Sequence, residues 1–297
     1  MRLAICRRTR SRASSTATGN SRAAGLPPII TLTTDFGTRD SYVSEMKGVI
    51  LSLAADVQLV DITHDVEPQQ VAEAALALEA AAAAFPTGTI HLAVVDPGVG
   101  TDRRALVVVA GGHFFVGPDN GLFTPTFRDA EWRAFELTTS EYRRPVVSRT
   151  FHGRDIFAPA AAHLARGVAP ERFGPAVDDP VRLPWPEARE GEEGVGGTVI
   201  HIDRFGNLVT SIEAEHVGAM GAGGDAAVRI AGRVLPLVGT YADLPPGRAG
   251  ALIGSRNRLE IVVRDGSAAA RLDVGRGAAV VLRRTAPLSK ARRSKTT

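Results

Sequence analysis

The stretch that most constrains the fold is His91 to Arg104, HLAVVDPGVGTDRR. Its apolar run, Leu92 to Val95, has the length and branching of a buried strand. The run is cut off by Asp96-Pro97-Gly98-Val99-Gly100, where proline holds one dihedral and two glycines allow tight backbone. A buried strand with an acid at its tip suits an α/β protein, in which ligands bind where strands end. The glycine-bearing loop, followed by Arg103 and Arg104, then makes a polar site, although Asp-Pro-Gly is equally ordinary turn chemistry.

The surrounding pattern agrees. Ile29 to Thr33 is a β-branched first strand ending in Thr34-Asp35-Phe36-Gly37, and Ser41 or Asp40 can cap an amphipathic helix through Tyr42, Met46, Val49, Ile50 and Leu53. Val57 to Ile62 reads as a second strand, Glu67 to Phe85 as an alanine-rich helix, Thr89 to Val95 as the third strand and Ala105 to Ala110 as a fourth. Strands alternating with helices predict a mostly parallel sheet covered on both faces. Gly117 to Gly121 reads as a turn, and Phe151 to Phe157 opens a helix through Ala160 and Leu164.

From Pro180 to Gly197 proline, glycine and glutamate dominate, and from Thr198 onward the period changes. Short runs at Thr198–Ile202, Leu208–Ile212, Ala227–Leu235, Leu259–Val263 and Ala278–Leu282 predict an all-β, barrel-like second domain. The expected organisation is a disordered basic tail over 1–28, an α/β domain over 29–183, a linker over 184–197, a β domain over 198–284 and a second basic tail over 285–297.

Composition matters chiefly for what it excludes. The pI of about 9.4 resembles that of a nucleic-acid binder. The bases, however, crowd at the ends: six arginines precede residue 28, and Lys290, Arg292, Arg293 and Lys295 close the chain. A basic face on the folded body is therefore not expected. The first tail is Arg- and Ser-rich without an acid, which reads as disorder or as a start codon placed too far upstream rather than as a secretory signal. Cys6, the single cysteine, precludes a disulfide within the chain and suits a reducing compartment, so a cytoplasmic location is expected. No run reaches the ~18 apolar residues of a membrane span; Glu73 and Glu79 interrupt the most apolar one.

Several side chains at strand tips carry usable chemistry, each with a plainer alternative. Asp35 can accept hydrogen bonds from a ribose diol, or serve as a turn acid. His152 is a general base, a charge partner or a structural histidine. Arg103 can hold Asp96, face a substrate carboxylate or form a surface ion pair. Asp203-Arg204-Phe205-Gly206-Asn207 offers an acid, an aromatic face and an amide, or is a plain β-turn. Arg154 and Asp155 can pair across the start of a helix. The chain has no Walker loop, no GxGxxG after a first strand, no GxSxG elbow, no paired cysteines and no HExxH, so neither a metal nor a nucleophilic serine or cysteine is indicated. An adenosine- or sugar-sized polar pocket with Asp, Arg and His to activate water remains.

Thr33-Thr34-Asp35-Phe36-Gly37, VDPGVGTDRR, Pro118-Asp119-Asn120-Gly121, FHGRDIFAP and Ile202-Asp203-Arg204-Phe205-Gly206-Asn207 occur in order and together resemble the S-adenosyl-L-methionine hydroxide adenosyltransferases, hydrolase relatives of the bacterial fluorinase and chlorinase. The resemblance covers about Ile29 to Leu282. It implies an α/β domain followed by a β-barrel, a homotrimer with sites between subunits, and attack of water on the ribose 5′-carbon to release adenosine and methionine. No cofactor is implied, since S-adenosylmethionine is the substrate. The family's Asp-Arg-His set falls on Asp96, Arg103 and His152. Asp35 would hold the ribose hydroxyls, Phe205 would lie near the adenine, and Asp203 and Asn207 would meet the adenosine or the methionine portion. Ser255 and Glu260, in GSRNRLE, match the stretch at the methionine end, and Ala268 would present backbone to the base.

Halogenating relatives lack the Asp-Arg-His set and carry an extra loop before the segment matching Gly117 to Gly121, where this chain has only Gly111-Gly112-His113; Gln69 replaces their tryptophan. Hydroxide is therefore favoured over halide. A sensor of S-adenosylmethionine without turnover would not need Asp96, Arg103 and His152 together. A nucleic-acid binder would depend on its basic tails.

Overall fold

The computed structural model describes residues 27–128, 131–219 and 226–284. Most of both basic tails lies outside these residues. The first half builds β1 (Ile29–Thr34), α1 (Tyr42–Leu53), β2 (Gln58–Thr63), α2 (Val71–Ala82), β3 (Ile90–Val94), β4 (Ala105–Ala110), β5 (His113–Pro118), β6 (Trp132–Glu136), α3 (Ala158–Ala165) and β7 (Ala176–Val177). The strands form one sheet in the order β2-β1-β3-β5-β4-β6-β7.

β3 runs through the middle and is buried on both faces. Leu92 and Val94 pack with Met46 and Ile50 of α1 and with the alanines of α3. Ala93 and Val95 pack with Ala74, Ala75 and Leu78 of α2. Between them His91 is fully buried, bonded to Thr31 Oγ1 at 2.8 Å, and burial pushes its pKa down to about 3.

The sheet is mixed, which corrects the expectation of a mostly parallel one. β1, β2, β3 and β5 are parallel, while β4 is antiparallel to β5 and β6, and β6 to β7. The cause is local: Gly111 and Gly112, both with positive φ, close a two-residue hairpin between β4 and β5, and so short a link cannot make a parallel crossover. The reversal decides the site. The carboxyl ends of β1 and β3 carry Asp35 and Asp96, and the amino end of antiparallel β4 brings Arg103 and Arg104 to the same edge.

α2 begins at Val71 rather than Glu67, because Gln69 sits in the left-handed region at φ 67° and breaks the helical path. Ser41 precedes α1 but makes no side-chain cap, and its hydroxyl donates to Glu45 instead, at 2.7 Å.

The second half is an antiparallel sheet of β8 (Arg189–Gly191), β9 (Gly194–Ile202), β10 (Leu208–Glu213), β11 (Ala226–Ile230), β12 (Arg233–Pro236), β13 (Ala249–Ile253), β14 (Arg258–Val263) and β15 (Ala279–Arg284), with short helices α4 (Ala214–Ala219) and α5 (Ala268–Leu272). Its order is β12-β11-β15-β9-β10-β14-β13, and a bridge from Leu237 to Ala251 nearly closes it into a barrel around its own core. Second-sheet pairing starts at Arg189, inside the stretch read as linker. The run Ala227–Leu235 is two strands, turned at Ala231 and Gly232, which both have positive φ; alanine gave no turn signal.

Glu73 and Glu79, which interrupt the apolar run of α2, reach the second domain: Glu79 pairs with Arg258 at 3.2 Å and Glu73 with Arg276 at 2.9 Å.

Candidate active site

Asp96, Arg103 and His152 form one connected cluster. Arg103 Nε donates to Asp96 Oδ1 at 2.9 Å and Oδ2 at 3.1 Å, and its Nη2 donates both to Asp96 Oδ2 and, at 2.8 Å, to His152 Nδ1. The pair is almost wholly buried, with side-chain exposures of 10% for Arg103 and 5% for Asp96. The guanidinium lies 5.2 Å from the Phe157 ring centroid. Because arginine has no acceptor, His152 Nδ1 must present its lone pair, and the imidazole proton sits on Nε2. Burial, and then the Arg103 charge, push the His152 pKa below its ordinary value, which favours the neutral ring.

Local structure explains how three residues so far apart in sequence meet. The loop after β3 is tied by Asn120 Nδ2 to the Val95 carbonyl at 2.9 Å. Gly100, at φ 81°, passes so close to the Arg149 carbonyl that a Cβ would stand 2.5 Å from it. The segment that leads to His152 is held by Asp155, fully buried at a single π-helical turn, Gly153–Phe157. Its carboxylate accepts from Arg154 Nε at 2.7 Å, Arg154 Nη2 at 2.9 Å, Arg144 Nη1 at 3.0 Å and the Ser148 N–H at 2.8 Å. Arg154 and Asp155 do pair, as their adjacency suggested, but they also anchor the whole loop.

Asp35 is half-buried at the tip of β1, and its Oδ2 accepts the Gln69 N–H at 2.9 Å. Holding a non-glycine residue at φ 67° costs on the order of 1–3 kcal/mol, and the Asp35 contact helps offset it. Ring contacts among Phe36, Tyr42 and Phe151, with centroids 5.2–5.9 Å apart and edge-on where Phe151 takes part, join the Asp35 loop to the His152 segment.

The other candidates gather in the barrel domain. Asp203 Oδ1 accepts the Phe205 and Asn207 N–H groups at 2.9 and 2.8 Å, and its Oδ2 accepts Asn207 Nδ2 at 2.9 Å. This tight Asx-turn leaves Phe205 75% exposed. A cavity of about 400 Å³ is lined by Asp203, Phe205, Asn207, Tyr241, Ser255 and Glu260, among others. Burial, and then Asp203, raise the pKa of Glu260. The Glu260 carboxyl occupies space that any side chain at Gly254 would fill. Ala268 is not in this lining: its side chain is buried in the barrel core, while the next N–H, of Ala269, donates to the Gly206 carbonyl at 3.0 Å. Sequence reasoning passed over Tyr241, whose hydroxyl accepts from Asn207 Nδ2 at 3.3 Å; a lone aromatic between small and polar residues carries no motif.

The structure thus gathers the candidates into two groups, one on each domain. Among the described residues no hydrogen bond or ion pair joins Asp35, Asp96, Arg103 or His152 to the barrel cavity, which is lined by second-domain residues alone. No group of three or more His, Cys, Asp or Glu among the described residues could hold a metal ion, and no described helix is long and apolar enough to cross a membrane.

Comparison with known proteins also finds two domains in this chain. Residues 30–174 match the SAM hydroxide adenosyltransferase N-terminal domain and residues 197–281 the C-terminal domain. The chain is 41% identical over 256 residues to the (R)-S-adenosyl-L-methionine hydrolase of Thermus thermophilus, covering 84% of this chain and 96% of that one. It is 30% identical to a fluorinase of Actinopolyspora mzabensis, covering 73% of this chain and 83% of that protein. A crystal structure of an uncharacterized conserved protein from Thermotoga maritima superposes with a TM-score of 0.81 at 34% identity, over 86% of this chain and all of that one. Two matched domains in the right order, and relatives covered nearly end to end, show that the chain belongs to the SAM hydroxide adenosyltransferase family.

Proposed function

We propose that this protein hydrolyses S-adenosyl-L-methionine to adenosine and L-methionine. The observation that carries the reading is the partly buried cluster in which Arg103 bonds both Asp96 and His152, in a chain whose relatives at 38–41% identity are named (R)-S-adenosyl-L-methionine hydrolases. We extend the preference for the R sulfonium to this chain.

In the proposed step a water oxygen bonds to the ribose 5′-carbon while the bond from that carbon to sulfur breaks. The electron pair goes to sulfur and methionine leaves as a neutral thioether. A sulfonium is already a good leaving group, so no cofactor is needed, and the protein's task is to align and desolvate the water. Asp96 accepts the water proton and passes it to solvent. His152 Nε2–H donates to the water oxygen and fixes its direction. Arg103 holds both groups in register. With His152 neutral, the charges of Asp96 and Arg103 cancel, and the cluster does not repel the sulfonium cation.

Asp35 takes the ribose hydroxyls and the barrel cavity takes the rest: Phe205 and Tyr241 offer aromatic faces to the adenine, Asp203 and Asn207 polar edges, and Ser255 and Glu260 the methionine end, with backbone near Ala268 bordering the base. Because these two groups lie on different domains and no hydrogen bond or ion pair among the described residues joins them, we place the complete site between the first domain of one subunit and the barrel of the next, in a homotrimer. A cytoplasmic location accords with the single cysteine.

Product analysis with purified protein, S-adenosylmethionine and chloride buffer tests the reading. Wild type is expected to yield adenosine and methionine, and Asp96→Ala to lower kcat by at least ~100-fold, the low end of a general base's contribution. A halogenated adenosine would show halide transfer instead; bound but unreacted ligand would show a sensor.

A further inference from the structure

Behind Asp35 lies a chain of close polar contacts that the proposed chemistry does not use. Fully buried Thr34 ends β1, and its Oγ1 accepts the Phe36 N–H at 3.3 Å. The same oxygen lies 2.8 Å from Nδ1 of His64, itself buried at the end of β2. On the far side, His64 Nε2 makes a bent 3.0 Å contact with Asp61 Oδ1, and Lys47 Nζ of α1 bonds Asp61 Oδ2 at 2.6 Å. The carboxylate fixes the tautomer. A lone pair on Nε2 would face the Asp61 oxygen, so the ring proton sits on Nε2 and Nδ1 accepts from the Thr34 hydroxyl. Hydrogen bonds then run from the Phe36 amide through Thr34 to His64 and from Lys47 to Asp61, while the His64–Asp61 link is a close polar contact outside hydrogen-bond geometry. The His64 carbonyl adds a further tie, accepting the Gly37 N–H at 2.8 Å.

The residue bracketed by these contacts is Asp35. Thr34 and Phe36 flank it, Gly37 closes its turn, and Gln69, a few residues past His64, bonds its carboxylate. A buried histidine whose Nδ1 is hydrogen-bonded and whose Nε2 lies against a carboxylate is costly to place and rigid once placed, as expected of a group that orients another. We infer that His64, backed by Asp61 and Lys47, is a positioning residue that holds the Thr34–Gly37 turn so that the Asp35 carboxylate meets the ribose diol. The inference rests on the proposed function for Asp35's role. The diol lies away from the breaking bond and is bound alike before and during reaction, so loosening Asp35 raises KM and leaves kcat nearly unchanged.

The test is a mutant cycle read by KM, kcat and the Kd for adenosine, with thermal melting to confirm folding. His64→Ala is expected to raise KM and the adenosine Kd about tenfold, with kcat within about threefold of wild type. His64→Asn, whose amide can reach Thr34 where Nδ1 did, is expected to recover most of the loss. In an Asp35→Ala background, His64→Ala is expected to add nothing, because it acts through Asp35. Wild-type KM and Kd in His64→Ala, a loss confined to kcat, or penalties that add in the double variant would overturn the proposal. The reading beneath it fails differently: wild type without turnover refutes hydrolysis while adenosine binding still reports on the His64 relay, and wild type that binds no adenosine refutes the ribose assignment.

Discussion

In the proposed mechanism His152 is where chemistry, charge and pH meet. Its pKa lies below the ordinary value of about 6.5, through burial first and the neighbouring Arg103 second. The neutral ring is therefore favoured at neutral pH, the form the proposed mechanism uses. As pH falls through the lowered pKa, the ring gains a proton and a positive charge beside both Arg103 and the substrate's sulfonium. The Nδ1 lone pair that receives Arg103 Nη2 is lost as well. We expect kcat/KM to be flat near neutrality and to fall on an acid limb whose midpoint lies below about 6.5. A pH–rate profile with its limb at or above that value would contradict this assignment. Single residues also mark the limit of sequence reasoning: an Asp beside an Arg at 154 and 155 is commonplace, and only burial reveals that Asp155 carries four hydrogen bonds.

Among the elements, antiparallel β4 matters most. Had every strand been parallel, Arg103 would begin its strand at the edge opposite Asp96. The Gly111–Gly112 hairpin reverses β4 and delivers the arginine to the acids. The loop between β3 and β4 must also pass tightly against the His152 segment, and Gly100 lets it. At φ 81°, with the Arg149 carbonyl where a Cβ would stand, Gly100→Ala is strained twice over. We expect it to lower Tm and to reduce kcat by ~10-fold or more, because an error of about 1 Å in alignment can cost ~100-fold. Thermal melting and steady-state kinetics on one preparation check both. A variant with wild-type kcat would show that the loop's path does not set the alignment of Asp96 and Arg103.

For the whole molecule, the division of candidates between domains predicts how subunits depend on one another. If each site takes Asp96 from one subunit and Asn207 from the next, then Asp96→Ala and Asn207→Ala proteins, each inactive, are expected to complement when mixed and allowed to exchange. Random pairing restores about a quarter of wild-type turnover, since each interface needs one intact half from each partner. Mixtures that stay inactive after demonstrated exchange would place both halves in one subunit.

The motifs, their order and the change from alternating helices and strands to short β runs were legible in the residues, because period and turn chemistry are local properties. Only the family pattern singled out Asp96, Arg103 and His152 as a set and several residues of the barrel cavity, since by type each has a plainer reading. The direction of β4 was signalled by the Gly111-Gly112 pair but not drawn from it; the halving of Ala227–Leu235 at an alanine turn and the delayed start of α2 at Gln69 were not legible, since both depend on positive φ at residues that give no turn signal. The same holds for Tyr241 in the cavity and for the Thr34–His64–Asp61–Lys47 relay. Their residues are ordinary by type and come from separate elements, and they acquire a role only when burial and polar contacts bring them together.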